Sequence, residues 1–105
     1  MEILIINFSL NGISDAEFRN QCDEVAPAFA AVPGLLSKVW LADPANGVYG
    51  GVYTFRDTVA VDAYLGSDLM AQVAANPAFV DVTARRFAVL SAPSAVTRGL
   101  AVAAL

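Results

Sequence analysis

The fold of this chain is decided by PGLLSKVW at residues 33–40 and GGVYTFRD at residues 50–57. Each segment mixes β-branched, aromatic and polar residues, as half-buried strands do, and Pro33-Gly34 is a turn signal. The connecting DPANG at residues 43–47 carries the Asp, Pro, Asn and Gly that turns favour. The sequence therefore predicts a β-hairpin, and this hairpin carries the single tryptophan and two of the three tyrosines.

A strand and a helix are predicted before the hairpin. The nearly continuous apolar run from Glu2 to Ser9 predicts a first strand that is central in its sheet. Ser14 followed by Glu17 forms a capping box at the start of a helix. The helix has an apolar stripe at helical spacing, formed by Phe18, Cys22, Val25 and Phe29. Pro27 should bend or end this helix, because it removes one backbone hydrogen bond.

Two helices and a strand are predicted after the hairpin. Asp57 can cap a helix that runs through Leu65, and Ser67 can cap a short helix that ends before Asn76-Pro77. A fourth strand follows over Phe79 to Leu90.

The alternation of apolar residues in this fourth strand changes parity, which predicts a bulge near Arg85-Arg86. The order β-α-β-β-α-β is that of a ferredoxin-like α+β fold, with a four-stranded antiparallel sheet and helices on one face.

Composition predicts one domain over residues 1–105, with residues 91–105 as an apolar tail. Hydrophobic residues make up 57% of the chain, which is high for a small domain. Since helices cover only one face of the sheet, we expect the other face to pack on a second sheet in a homodimer. We also expect residues 100–105 to dock on the body or across that dimer, because an apolar end is unfavourable in water.

Charge argues against nucleic acid as a partner, since the net charge is −4 and only 6 residues are Lys or Arg. No apolar run approaches the roughly 20 residues that cross a bilayer, and residues 1–8 lack the pattern of a signal peptide. The expectations are therefore no membrane partner and a cytoplasmic location.

The chain has no histidine and a single cysteine, Cys22. These counts exclude the usual Ser-His-Asp and Cys-His nucleophiles, His-ligated metal sites and intrachain disulfides. No Walker or dinucleotide-binding glycine motif is present, and we expect neither a cofactor nor a metal. Catalysis would have to use carboxylates, Tyr, Arg, Lys, Asn or the reactivity of the substrate itself.

With these motifs the chain resembles the YdhR-like family, for which monooxygenase activity is suggested, within the dimeric α/β-barrel group that includes antibiotic-biosynthesis monooxygenases. The resemblance rests on the two hairpin segments, on Phe8 with Asn11-Gly12, on residues 63–65 and on Pro93-Ser94. It implies a dimeric barrel with a pocket between each sheet and its helices. It also implies cofactor-free oxygenation of a small aromatic or quinol-like substrate, although a non-catalytic binding domain for an apolar metabolite, or an isomerase or cyclase, would suit the same architecture.

A pocket of this kind needs aromatic walls and a few polar groups. The candidate substrate-binding residues are Trp40, Tyr53, Phe55 and Tyr64. The candidate catalytic residues are Arg86, or Arg85 depending on the bulge, to favour a phenolate, with Asn7 or Tyr49 to donate a hydrogen bond. Each has an alternative structural role: the aromatic residues can be core, the arginines ion-pair partners, and Asn7 a partner of the backbone. Lys38 could be a base if desolvated, but a strand lysine more often extends its charged end to water.

Overall fold

The computed structural model describes residues 1–100, which form one sheet with helices on one of its faces. The elements are, in chain order, β1 (Glu2–Leu10), α1 (Asp15–Ala30), β2 (Leu35–Asp43), β3 (Val48–Phe55), α2 (Thr58–Leu65), α3 (Asp68–Ala75), β4 (Phe79–Ala88) and α4 (Ser91–Val96). The predicted ferredoxin-like α+β fold is confirmed.

The sheet has the strand order β2-β3-β1-β4, and all neighbouring strands are antiparallel. β1 is central, as its apolar character predicts. Alternate residues of each strand point to opposite faces. One face, the helix face, carries the core of the domain, in which Leu4, Ile6, Phe55 and Val61 are the largest fully buried side chains.

The opposite face, which we call the open face, is not covered by any helix of residues 1–100. It is also apolar, because the strands place there Ile3, Ile5, Val39, Leu41, Val52 and Phe87. Two of these remain well exposed in the single chain, Val39 at 58% and Phe87 at 43%.

The bulge in β4 lies at Asp81–Val82, so its predicted position at Arg85-Arg86 is wrong. Arg85 and Arg86 pair regularly with Ile5 and Leu4, and the register with β1 shifts between Asn7 and Ser9. Asp81 has a φ of 55°, which marks the inserted residue. The prediction failed because it assumed that all apolar residues of β4 face the helices, whereas Phe87 belongs to the apolar open face.

The helices α1, α2 and α3 begin where the capping residues predict, whereas α4 was not predicted and has no side-chain cap. Ser14 and Glu17 form the capping box of α1, and the side chains of Asp57 and Ser67 cap α2 and α3. Pro27 was expected to bend or end α1. The helix does not end there, because it continues to Ala30. Pro27 lies on the exposed side of α1, where water can hydrogen-bond the carbonyl that it leaves without a backbone donor.

The chain after β4 forms the short helix α4, which has no buried residue in the single chain. Leu90 and Val96 at its ends are 73% and 80% exposed. The expected docking of residues 100–105 stays a prediction, because residues 101–105 lie outside the residues that the structure describes. Within residues 1–100, no helix is both long and apolar enough to cross a membrane.

Candidate functional site

A cavity of about 170 Å³ lies between the helix face of the sheet and the helices α1 and α3. Most of its lining is apolar or aromatic, and its polar side chains are few. The residues that line it are Phe8, Phe18, Gln21, Cys22, Val25, Phe29, Lys38, Trp40, Gly50, Tyr53, Leu69, Gln72, Val73, Asn76 and Phe79. None of them carries a carboxylate.

The predicted hairpin supplies one wall of this cavity. Trp40 lies opposite Gly51, and Lys38 opposite Tyr53, so that all three side chains of this wall, Lys38, Trp40 and Tyr53, are on the helix face. Gly50 lines the cavity without a side chain, and the space over Gly51 is filled by Lys38, whose Cε would be 2.8 Å from a Cβ there. Phe29 of α1 packs edge-on against Trp40, with ring centroids 5.2 Å apart. Two rings from different elements therefore meet at right angles beside the cavity.

Lys38 is the one cationic side chain on the cavity wall, and its ammonium group lies among aromatic rings. Its Nζ is 3.4 Å from the ring centroid of Trp40, 3.5 Å from that of Phe29 and 4.6 Å from that of Tyr53. No carboxylate in residues 1–100 makes an ion pair with it. Burial lowers the pKa of Lys38 to about 7. The ring faces favour the ammonium form and oppose part of this shift.

Tyr53 and Tyr64 form a buried pair behind the cavity. The hydroxyl of Tyr64 donates to that of Tyr53 over 3.2 Å. Burial raises the pKa of both phenols, so they stay neutral at ordinary pH. Tyr53 lines the cavity, whereas Tyr64 and the fully buried Phe55 lie in the core behind it.

The three predicted catalytic residues do not line the cavity. The Nε of Arg86 donates to Glu2 Oε1 over 2.6 Å, and its Nη1 donates to Asp62 Oδ1 over 2.6 Å. Arg86 and Thr58 together hold the pKa of the Glu2 carboxyl below its ordinary range. Arg86 thus serves an ion-pair network at the edge of the helix face. Arg85 is on the open face, beside Ile5.

Tyr49 and Asn7 also have structural partners. The hydroxyl of Tyr49 donates to Asp15 Oδ1 over 2.8 Å and ties β3 to the start of α1. Asn7 pairs with Gly50 on the open face, and its side-chain amide donates to the carbonyl of Tyr49. The structure therefore brings together Trp40 and Tyr53 of the candidate residues and leaves the polar candidates elsewhere.

Sequence reasoning missed the part of the cavity that comes from the helices and from β4. The sequence identifies Phe29 only as part of the apolar stripe of α1, and it favours a Lys38 that extends its charged end to water over a desolvated one. Gln72 and Asn76 come from α3 and the residue that follows it. Lys38 and Trp40 are two residues apart in β2 and therefore share a face, which was the one sequence signal that Lys38 lies on the cavity wall. In residues 1–100, no three His, Cys, Asp or Glu side chains gather in a way that could hold a metal ion.

The ferredoxin-like fold of this chain is shared with several solved structures. A "putative antibiotic biosynthesis monooxygenase" from Deinococcus radiodurans is 17% identical with a TM-score of 0.67, and the match covers 88% of this chain and 95% of that one. SnoaB, a cofactor-independent oxygenase from Streptomyces nogalater, is 22% identical with a TM-score of 0.65, over 84% and 92% of the two chains. The heme-degrader MhuD from Mycobacterium tuberculosis, solved with two hemes bound, is 20% identical with a TM-score of 0.69, over 86% and 96%.

These identities show a common fold and carry no site or substrate to this chain. Among curated proteins, none matches the chain significantly. The chain belongs to the family described as "Putative mono-oxygenase ydhR", whose model matches residues 3–100.

Proposed function

We propose that this protein is a cofactor-independent monooxygenase that oxidises a small aromatic or quinol-like substrate with O₂ in the cavity beside Trp40. The observation that carries the proposal is the cavity itself, with Trp40, Phe29 and Tyr53 as aromatic walls and few polar groups on its lining. Such a composition suits a planar apolar molecule held by ring contacts. The family assignment and the fold shared with an oxygenase support the reaction class.

The reaction requires no external electron donor when the substrate supplies all the electrons. A ring CH₂ group of an anthrone-type substrate becomes C=O. One atom of O₂ becomes the carbonyl oxygen, and the other leaves as water with the two hydrogen atoms of the CH₂ group. The carbon loses four electrons and the two oxygen atoms gain four. The protein would orient the ring, exclude water and stabilise the anion that first forms. The volume of about 170 Å³ is below the roughly 300 Å³ of common ligand pockets, but it exceeds the roughly 150 Å³ of a cavity that holds benzene, so it suits a small aromatic ring.

Replacing Trp40 with Phe should weaken the binding of a planar aromatic such as 2-naphthol by about 2- to 10-fold, because the smaller ring loses part of the stacking contact. The folded structure should persist, since phenylalanine keeps an aromatic ring against Phe29. Calorimetric titration of both proteins measures the change, and Val59→Thr, at an exposed site on α2, is the control that should bind like the parent. Equal affinity in the parent and in Trp40→Phe would exclude Trp40 as a contact of the ligand.

An oxygen electrode tests the reaction itself. With an anthrone as substrate, the parent protein should consume O₂ faster than buffer alone and Trp40→Phe should be slower than the parent. If the anthrone binds but O₂ uptake equals that in buffer, the protein is not an oxygenase for this substrate class.

That outcome would favour the second candidate function, a binding domain for an apolar metabolite. One observation supports this candidate: Arg86 and Tyr49 are engaged in structural hydrogen bonds, and Asn7 faces away from the cavity. The site would then hold a ring without the polar groups that were expected to act on it.

A cytoplasmic homodimer is part of the same proposal. The apolar open face has no helix over it in residues 1–100, and Leu90 and Val96 near the end of the chain are also exposed. A second sheet packed on this face would bury its apolar side chains. Such an interface should exceed about 1,000 Å² in total.

A further inference from the structure

We propose that Lys38 is the proton acceptor of this site, and that the cavity selects aromatic ligands with an acidic hydroxyl and holds them as anions against the Lys38 ammonium group. This inference rests on the proposed function and adds to it a catalytic residue. Arg86, the residue expected for the anion, is paired with Glu2 and Asp62 outside the cavity.

The position of Lys38 Nζ carries the proposal. Nζ lies over the rings of Trp40 and Phe29, at 3.4 and 3.5 Å from their centroids, and Lys38, Trp40 and Phe29 all line the cavity. A planar ligand in the cavity would lie within reach of Nζ, which would move off these ring faces where the ligand stacks on them. Gly51 lies under the lysine, since a Cβ at this position would be 2.8 Å from Lys38 Cε. The glycine therefore gives the long side chain room to lie along the sheet.

The charges around Lys38 leave its ammonium group without a counter-ion. The titratable groups that face it are the Cys22 thiol from α1 and the Tyr53 phenol from β3, with Tyr64 of α2 behind Tyr53. Burial raises the pKa of all three, so each is neutral where Lys38 titrates. On the side of α3 the cavity has Gln72 and Asn76, which carry no charge. A buried cation without a counter-ion is unfavourable, and an anionic ligand would supply one.

The chemical step is a single proton transfer. The O–H bond of the bound phenol or enol breaks, a new N–H bond forms on Nζ, and the electron pair stays on the ligand oxygen. No oxidant takes part in this step. It produces the electron-rich anion that the proposed oxidation requires, next to the cation that stabilises it.

The pH dependence of ligand affinity follows from the number of protons in the complex. In the complex, the ligand hydroxyl and the Lys38 amine share one titratable proton. Affinity should be highest between the pKa of Lys38, about 7, and the pKa of the free ligand hydroxyl. It should fall at lower pH, where lysine and ligand each hold a proton, and at higher pH, where both have lost it.

The test uses 4-nitrophenol, whose anion is coloured, and 4-nitroanisole, which has nearly the same shape but no acidic proton. In the parent protein the bound 4-nitrophenol should ionise at lower pH than the free dye, and at neutral pH it should bind at least about 10-fold more tightly than 4-nitroanisole. Lys38→Met keeps the length of the side chain without the charge. This variant should still bind 4-nitroanisole and show no preference for 4-nitrophenol over it.

Lys38→Arg separates charge from proton transfer, because a guanidinium does not accept a proton at these pH values. It should keep the preference for the anion and lose the O₂ uptake that an un-ionised anthrone supports. If the parent binds both dyes equally and leaves the ionisation of 4-nitrophenol unchanged, Lys38 has no such role although the aromatic site stands. If neither dye binds the parent, the aromatic site of the proposed function fails as well.

Discussion

Alanine in place of Gly50 should destabilise the folded protein by at least about 3 kcal/mol, because its backbone and its surroundings both require glycine. The φ angle of Gly50 is +155°, a conformation that residues with a Cβ rarely adopt. A Cβ at this position would be 1.9 Å from the carbonyl oxygen of Ile6 on the central strand. Relief of this clash must separate β3 from β1, which are the two middle strands of the sheet.

Urea unfolding followed by circular dichroism measures this effect, with Gly12→Ala as the matched control. Gly12 also has a positive φ, +78°, but a Cβ there has no heavy atom within 4 Å. Gly12→Ala should therefore cost only the backbone strain, about 1 kcal/mol. Similar stabilities for Gly50→Ala and Gly12→Ala would contradict the close approach of β1 and β3 at Gly50.

Aspartate in place of Val52 should convert the expected homodimer into monomers. Val52 is on the open face and pairs with Ile5 on one side and Val39 on the other, so it lies in the middle of the apolar surface. A carboxylate buried there against a second sheet would have no partner, and we expect the dissociation constant to rise at least about 100-fold. In the single chain Val52 is partly exposed, so the variant should still fold.

Light scattering at micromolar concentration distinguishes the two forms. The parent should have twice the mass of the 11.0 kDa chain, and Val52→Asp should have the mass of one chain. Val59→Asp is the control, because Val59 is 74% exposed on α2, on the other side of the molecule, and this variant should stay dimeric. A parent protein that is monomeric, or a Val52→Asp protein that stays dimeric, would contradict packing through the open face.

Much of this fold could be predicted because its signals are local. The capping residues Ser14, Asp57 and Ser67 each bind the backbone within three residues, so sequence alone shows where the helices begin. The bulge in β4 could not be located, since the change of parity in the sequence comes from Phe87 on the apolar open face and not from the inserted residue. Its position at Asp81 depends on packing between distant residues, such as Phe79 against Phe8 with ring centroids 4.4 Å apart.

The sequence could predict those parts of the candidate site that depend only on which face of a strand a residue occupies. Because alternate residues of a strand share a face, Trp40 and Tyr53 could be placed together on one wall. The partners of Arg86 and Tyr49 were not predictable, since Asp62 and Asp15 lie 24 and 34 residues away along the chain. Lys38 shares the parity of Trp40, but its enclosure depends on Phe29 of α1, which only the packed structure brings to it.

The central claim, that a planar aromatic ligand occupies the cavity, is tested most directly by the fluorescence of Trp40. Trp40 is the only tryptophan in the chain and it lines the cavity, so all tryptophan emission comes from this wall of the cavity. Titration with phenol, with excitation at the long-wavelength edge of the tryptophan band where phenol does not absorb, should quench or shift the emission in a saturable way with one site per chain. Saturable binding by calorimetry without any change in Trp40 emission would place the ligand elsewhere, and no binding up to millimolar ligand would contradict the site altogether.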